Sequence, residues 1–364
     1  MIGVSEAYRA LDLEEWNLSP CTDEFVLAPH GSLILLKDEK CSSDIPHFSN
    51  CEDITTRFHT KTISANSFVL DYATYSLDGL EYSENQPLAQ ISERLLRLDY
   101  KGKLYIRQSF RLAEKMPLKL LMEKGKFLYV TVNGQEIMLS KSDFDVNFVE
   151  AFITSALTVG DNVLEYSVEY YQHDGVHFAL FNPMATESLR NCLYYDTHIE
   201  NSYLQGDFMV DDSFVLCKPT SQPLLTENLQ ANGYPFFKGT WTIQGDYEYD
   251  GQGEREIFVE GKYLVAELYV NGKRKDLVLS ERKNITPYLH KGNNEIIIVL
   301  RSSLRNFFGP HHYKDEDKYA SVWPGMFTFR GGWENGIPKE YTHEYRLAPF
   351  GVKAIKIYSD KKEG

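Results

Sequence analysis

One three-part phrase occurs twice in this chain, and it limits the fold more than any other feature. In the first half an alternating apolar run, Phe127 to Val132, leads into Asn133-Gly134. The chain then passes Ile153 and reaches Gly160-Asp161-Asn162 and a second apolar run, Val163 to Val168. In the second half Leu264 to Val270 leads into Asn271-Gly272, through Asn284-Ile285-Thr286-Pro287-Tyr288-Leu289, to Gly292-Asn293-Asn294 and the run Glu295 to Leu300. Alternation at period two marks strands with one face in a core. Asn-Gly after such a strand supplies the two positive φ angles of a tight hairpin turn. The Gly-Asp-Asn and Gly-Asn-Asn clusters read as second turns that send the chain back as strands. Strand, turn, connection, turn, strand is how antiparallel sandwiches are built, and its repetition predicts two copies of one unit.

The 364 residues suit two cores. Further strands are expected at Lys103 to Leu112 and Thr240 to Tyr249, with Trp241 and Tyr247 facing the core. Helical periodicity is convincing only over Leu88 to Leu98, with Ile91, Leu95 and Leu98 on one face. The predicted fold class is all-β: two tandem jelly-roll β-sandwiches with one short helix. The Pro-rich stretch Cys217 to Pro223 marks a boundary near residue 216. This gives a first domain over 1–215, including an N-terminal extension, and a second over 216–364. Within the extension, Pro20 to Asn50 holds one strand candidate, Ser32 to Leu36, and otherwise reads as loop packed on the first sandwich.

Fifty-two acidic against 38 basic residues give a formal charge of −14, which repels nucleic-acid phosphates and anionic lipid. No stretch approaches the roughly 20 apolar residues of a membrane span. The first twenty residues lack the apolar run of a secretory signal. The five cysteines, Cys21, Cys41, Cys51, Cys192 and Cys217, are odd in number and not spaced as zinc or redox motifs. A soluble protein in the reducing cytoplasm is expected.

The order of strand, Val-Asn-Gly, variable segment, Ile-Thr and Leu, Gly-x-Asn and apolar strand resembles the sugar-binding jelly roll of glycoside hydrolase family 2 and related galactose-binding-like domains. Its carriers are Val132-Asn133-Gly134 with Gly160-Asp161-Asn162, and Val270-Asn271-Gly272 with Ile285-Thr286, Leu289 and Gly292-Asn293-Asn294. Asn232 to Thr240 (NGYPFFKGT), Ser303 to His312 (SLRNFFGPHH), Phe68 to Tyr72 with Ser76 to Gly79, and Tyr203 to Phe208 are similar to C-terminal parts of large bacterial glycosidases. The resemblance implies a sugar-binding or scaffolding accessory portion of a glycosidase (an O-glycosyl hydrolase). It also implies an oligosaccharide or glycoside as ligand and a (β/α)₈-barrel catalytic domain or subunit as partner. The isolated chain is a candidate homo-oligomer. A barrel needs about 250 residues, for which this chain has no room. Galactose-binding-like folds often carry a structural calcium; no position is assigned to one, and no other cofactor is expected.

Sugar recognition needs aromatic faces and planar polar groups in a concavity. Asn306, His311, His312, Trp323 and Trp333, in Gly- and Pro-rich loops of the second domain, are the expected sugar-binding residues. Asp315 and Asp317 follow His311 and His312, but neighbouring side chains of an extended segment point to opposite faces, which favours hydrogen bonding over zinc. A polar stretch of the first domain holds Glu187, Arg190, Glu200 and Asp207. Glu187, Asp207 and Glu334 are the weak catalytic candidates. The first rival is a small glycoside hydrolase with its site between the sandwiches. The second is a non-catalytic subunit-interaction module.

Overall fold

The computed structural model describes residues 8–12, 17–20, 34–37, 48–219, 221–277, 281–314 and 332–360. The first sandwich has a five-stranded sheet in the order Ser140–Lys141, Phe148–Phe152, Leu118–Glu123, Ser202–Gly206, Asn66–Leu70. Its second sheet runs Gln135–Glu136, Phe127–Val132, Gly160–Tyr170, Gly102–Leu112, Val215–Cys217, Met209–Val210. One apolar core draws on both sheets, from Phe68 to Phe236, and adds Phe307 from far along the chain.

The second sandwich repeats the plan. One sheet runs Lys273–Leu277, Val265–Val270, Gly292–Arg301, Thr240–Tyr249, Phe58–Ile63, and the other Lys283–Asn284, Arg255–Lys262, Gly351–Asp360, Phe48–Asp53. Alternation along Thr240–Tyr249 places Trp241, Ile243, Tyr247 and Tyr249 inside, as expected of Trp241 and Tyr247. The all-β class is therefore observed, with strands at both predicted repeats.

Two strands arrive from an unexpected part of the chain. Phe48–Asp53 pairs with Gly351–Asp360, and Phe58–Ile63 pairs with Thr240–Tyr249. The segment expected to pack on the first sandwich thus ends in a strand of the second, whose sheet would otherwise leave an unpaired edge. Gly245 makes room for this: a Cβ there would lie 2.6 Å from the Phe58 ring. Residues 8–12, 17–20 and 34–37 form a separate three-stranded sheet, whose last strand, Ile34–Lys37, overlaps the predicted Ser32 to Leu36.

The helix Leu88–Arg97 buries Leu88, Ile91, Leu95 and Leu96. Leu98 lies beyond its last turn and is 59% exposed, so Leu96, not Leu98, supplies the remaining apolar contact, against Val176 and Leu180. Three further short helices, Asp174–Phe181, Glu187–Asn191 and Arg305–Phe308, correct the expectation of a single one. Each has at most eight residues, too few for a 3.6-residue period to stand out in the sequence. Among the described residues no helix is long and apolar enough to cross a membrane. Cys51, Cys192 and Cys217 are free; Cys21 and Cys41 lie outside the described residues.

The repeated phrase folds the same way twice. Asn133 and Gly134 have φ of 51° and 79°, and Asn271 and Gly272 of 49° and 78°, which makes both hairpin turns left-handed as the sequence required. Asn162 is fully buried. Its Nδ2 donates to the carbonyls of Thr158 (2.8 Å) and Gly160 (2.9 Å), and its Oδ1 accepts from Asn133 Nδ2 (2.8 Å) and the Thr158 amide (2.8 Å). Asn294 repeats the set with His290, Gly292 and Asn271, at 2.8, 2.7 and 2.7 Å, and accepts from the His290 amide at 2.8 Å.

Removing such an amide leaves several buried backbone groups unpaired, each worth about 1–3 kcal/mol. Asn294→Ala should therefore lower stability by about 3 kcal/mol or more in urea unfolding. Asn293→Ala, one residue away with an exposed side chain, should change it by less than about 0.5 kcal/mol.

Candidate functional site

Four of the five predicted sugar-binding residues, Asn306, His311, His312 and Trp333, collect where the two sandwiches meet. The helix Arg305–Phe308 and the residues after it lie against the first sandwich. Phe307 stacks on Tyr203 with ring centroids 4.2 Å apart, and Phe308 packs edge-on to the same ring. Asn306 is buried and clamps a neighbouring segment: its Nδ2 donates to the Ala348 carbonyl and its Oδ1 accepts from the Ala348 amide, both at 2.8 Å.

His311 and His312 are 4% and 8% exposed. Adjacent residues in extended chain are expected to point apart, but both rings turn to one side, against Asp71 and Tyr345, while their hydrogen bonds go to different acceptors. His311 Nε2 donates to the Asn306 carbonyl at 2.9 Å, and His312 Nε2 donates to Asp71 Oδ2 at 2.9 Å. Asp71, on the first sandwich, also accepts from the Tyr345 hydroxyl at 2.8 Å through Oδ1. A buried carboxylate is tolerated only with such partners. Burial, and next the Asp71 charge, raises the Tyr345 hydroxyl far above the usual phenol range, so it remains a donor. Burial also pushes His311 down to about 4, although Asp71 opposes this. Outward from this centre, the Tyr72 hydroxyl bonds the Tyr341 hydroxyl and lies 3.1 Å from His343 Nδ1.

Trp333 sits at the margin, half-buried, with its ring 4.8 Å from that of Tyr341. Its amide donates to Glu93 Oε2 at 3.0 Å, and Arg97 binds the other oxygen of this buried Glu93 at 2.7 Å. Arg97 also pairs with Glu334 at 2.8 Å. Glu334 therefore helps pin its loop to the helix Leu88–Arg97. Trp323, Asp315 and Asp317 lie outside the described residues.

The three catalytic candidates are not brought together. Glu187 is exposed in the first turn of a short helix, Asp207 is exposed beyond the strand Ser202–Gly206, and no hydrogen bond or ion pair links any two of the three among the described residues. The carboxyl of the polar stretch that its environment pushes upward is Glu200. Burial, and next the Glu123 carboxylate, raises it to about 7, although 39% of its side chain remains exposed; His198 Nδ1 lies 3.8 Å away. Among the described residues no group of three or more His, Cys, Asp or Glu is placed to hold a metal ion.

Sequence reasoning missed a second place, on the outer face of the first sandwich's five-stranded sheet. The register sets Lys119 opposite Phe152 and Gln205, and Leu121 opposite Glu150 and Tyr203. The middle of this face is covered by Phe307 and Phe308, but the Phe152 end opens into a hollow of 310 Å³. The signal that would have found it is period-two alternation in Leu118–Glu123 and Phe148–Phe152, which puts charged Lys119 and Glu150 on one face with aromatic Phe148 and Phe152.

No protein-family model matches the sequence, and no curated protein matches it. Among solved structures the chain is similar to a β-D-mannosidase from Dictyoglomus thermophilum: 12% identity, TM-score 0.27, 65% of this chain and 31% of that chain. It is likewise similar to a GH2 β-galacturonidase from Eisenbergiella tayi, at 13% identity and TM-score 0.27, over 61% of this chain and 36% of that one. For a β-glucuronidase from Bacteroides uniformis the values are 13%, 0.26, 65% and 28%. The chain spans about a third of the length of these enzymes.

Two pH effects of opposite sign follow. The unfolded chain protonates His311 near 6.5, whereas the folded protein resists this down to about 4. The stability held by neutral His311 is therefore present above about pH 6.5 and lost, by up to about 3 kcal/mol, as pH falls towards 4. His311→Gln, which keeps a donor but does not titrate, should flatten the acid side of a plot of Tm against pH; parallel curves for the two proteins would refute the assignment. For Glu200, raised from 4.5 to about 7, the stabilising contribution is present below about pH 4.5 and lost as pH rises through 7. Glu200→Gln should thus gain stability over the parent at pH 8 relative to pH 5, read as the shift in urea midpoint.

Proposed function

We propose that this chain is a carbohydrate-active accessory module, the sugar-binding and scaffolding portion of a glycoside hydrolase whose catalytic carboxylates lie on a (β/α)₈-barrel domain or subunit. The observation that carries the reading is the interlocking of the two sandwiches. Phe48–Asp53 and Phe58–Ile63 complete sheets of the second sandwich, while Asn306 to His312 and Tyr345 from the second half hold Asp71, Tyr203 and their neighbours on the first. Two tethered binding modules would need no such exchange; a rigid support does. Placement of Glu334 in an ion pair with Arg97, and of Glu187 and Asp207 on separate exposed elements, favours this reading over a small glycosidase with its site between the sandwiches.

The test is calorimetric titration of the full chain with a panel of plant and host oligosaccharides, run beside an assay on a panel of aryl glycosides. Saturable binding of at least one oligosaccharide without turnover is expected. No heat for any of them would leave the scaffold role alone. Turnover that disappears in Glu334→Gln would replace the accessory reading with the enzyme.

A further inference from the structure

We propose that the hollow on the outer face of the first sandwich is a subsite for one pyranose ring of a neutral glycan. The proposal rests on the carbohydrate-accessory reading and moves its ligand away from the Gly-Pro-His-His loop, where His311 and His312 are buried and each commits its Nε2 to an interior acceptor. At 310 Å³ the hollow is within the size range of small-ligand sites. Lys119, Gln135, Glu136, Ser140, Glu150 and Phe152 line it.

Phe152 is 77% exposed, a large apolar ring that the fold leaves in solvent on a strand face where its partner in register is Lys119. A flat ring of this kind matches the C–H face of a pyranose. Beside it, Lys119 Nζ and Ser142 Oγ both bond Glu150 Oε2, at 3.1 and 2.5 Å. Desolvation opposes the charge on Glu150, but the Ser142 and Lys119 bonds prevail and hold its carboxyl below the usual range. The carboxylate is fixed by these two side-chain bonds and by a backbone bond from Asp143; a carboxylate has about four lone-pair sites, so it can still accept from a sugar hydroxyl, and Lys119 has further N–H groups to donate. An ion pair at 26% and 14% side-chain exposure is held in place before a ligand arrives, which lowers the ordering cost of binding. The wall carries one cation, Lys119, against two carboxylates, Glu136 and Glu150, and Lys238 lies within electrostatic reach of Lys119 and Glu150; the charges nearly cancel, which suits a neutral ring better than a uronate or sulfated one.

The experiment is an amide NMR titration of the full chain with cellohexaose, mannohexaose, xylohexaose and, as the anionic probe, hexagalacturonate. At least one neutral hexamer should shift amides of Leu118–Glu123 and Phe148–Phe152, and hexagalacturonate should bind about ten-fold more weakly or not at all. Phe152→Ala, at an exposed position that leaves the core intact, should weaken binding about ten-fold, with Phe152→Tyr restoring it and Glu150→Gln weakening it comparably. Neutral binding with shifts confined to the region of Trp333 and Tyr341, unchanged in Phe152→Ala, would overturn the hollow while leaving the accessory reading standing. Preference for hexagalacturonate would overturn the ligand class. No binding of any probe would remove the subsite, and with it sugar binding by this chain for these glycan classes.

Discussion

The structure depends on two buried asparagine amides. Asn162 and Asn294 each satisfy both N–H donors and the carbonyl oxygen against the turn that precedes their strand and against the hairpin asparagine across it. An aspartate in the same place offers no donors and would set a carboxylate against carbonyl oxygens, so the amide is required chemically. Asn133 and Asn271, already in the left-handed region, use their own side chains to accept from the amides of Val163 and Glu295 at 2.9 and 3.1 Å. The paired amides tie the end of one strand to the start of another, 29 residues on in the first copy and 23 in the second. That fixes the register of Phe127–Val132 with Gly160–Tyr170 and of Val265–Val270 with Gly292–Arg301. The phrase that carries the family resemblance is thus a device for building a sandwich corner and makes no call on a ligand.

Once two sandwiches are fixed, the remaining question is how they are joined. The answer lies in a polar centre wrapped in aromatic rings. Asp71 takes hydrogen bonds from His312 and Tyr345, and the rings of Phe236, His311 and Tyr345 close around them with centroids 4.9 to 6.0 Å apart. Edge-to-face contacts at such spacing add to the burial of the rings themselves. Loops rich in Gly, Pro, His and aromatic residues are chemically suited to sugars, but the same properties suit a tight, hydrogen-bonded joint, and here the joint takes His311, His312 and Asn306. Glu93, buried under the Trp333 loop with Arg97 as its counter-ion, secures the margin of that joint in the same way.

The sequence alone determined what short-range backbone chemistry controls. Alternation placed the strands at Gly102–Leu112 and Thr240–Tyr249, and Asn-Gly set the left-handed turns at 133–134 and 271–272. Ile91 and Leu95 marked the helix, and the period-two pattern sent Trp241 inward. Tertiary structure decided which surfaces arrive from far away. Phe48–Asp53 needs an edge some 300 residues downstream, His312 reaches a carboxylate 241 positions upstream, and Phe307 covers the middle of a sheet face whose far end, at Lys119, Glu150 and Phe152, stays open. Local rules say that a residue is on one face or in one turn. What covers that face is set by long-range packing, and so the candidate sites were not legible until the chain had folded.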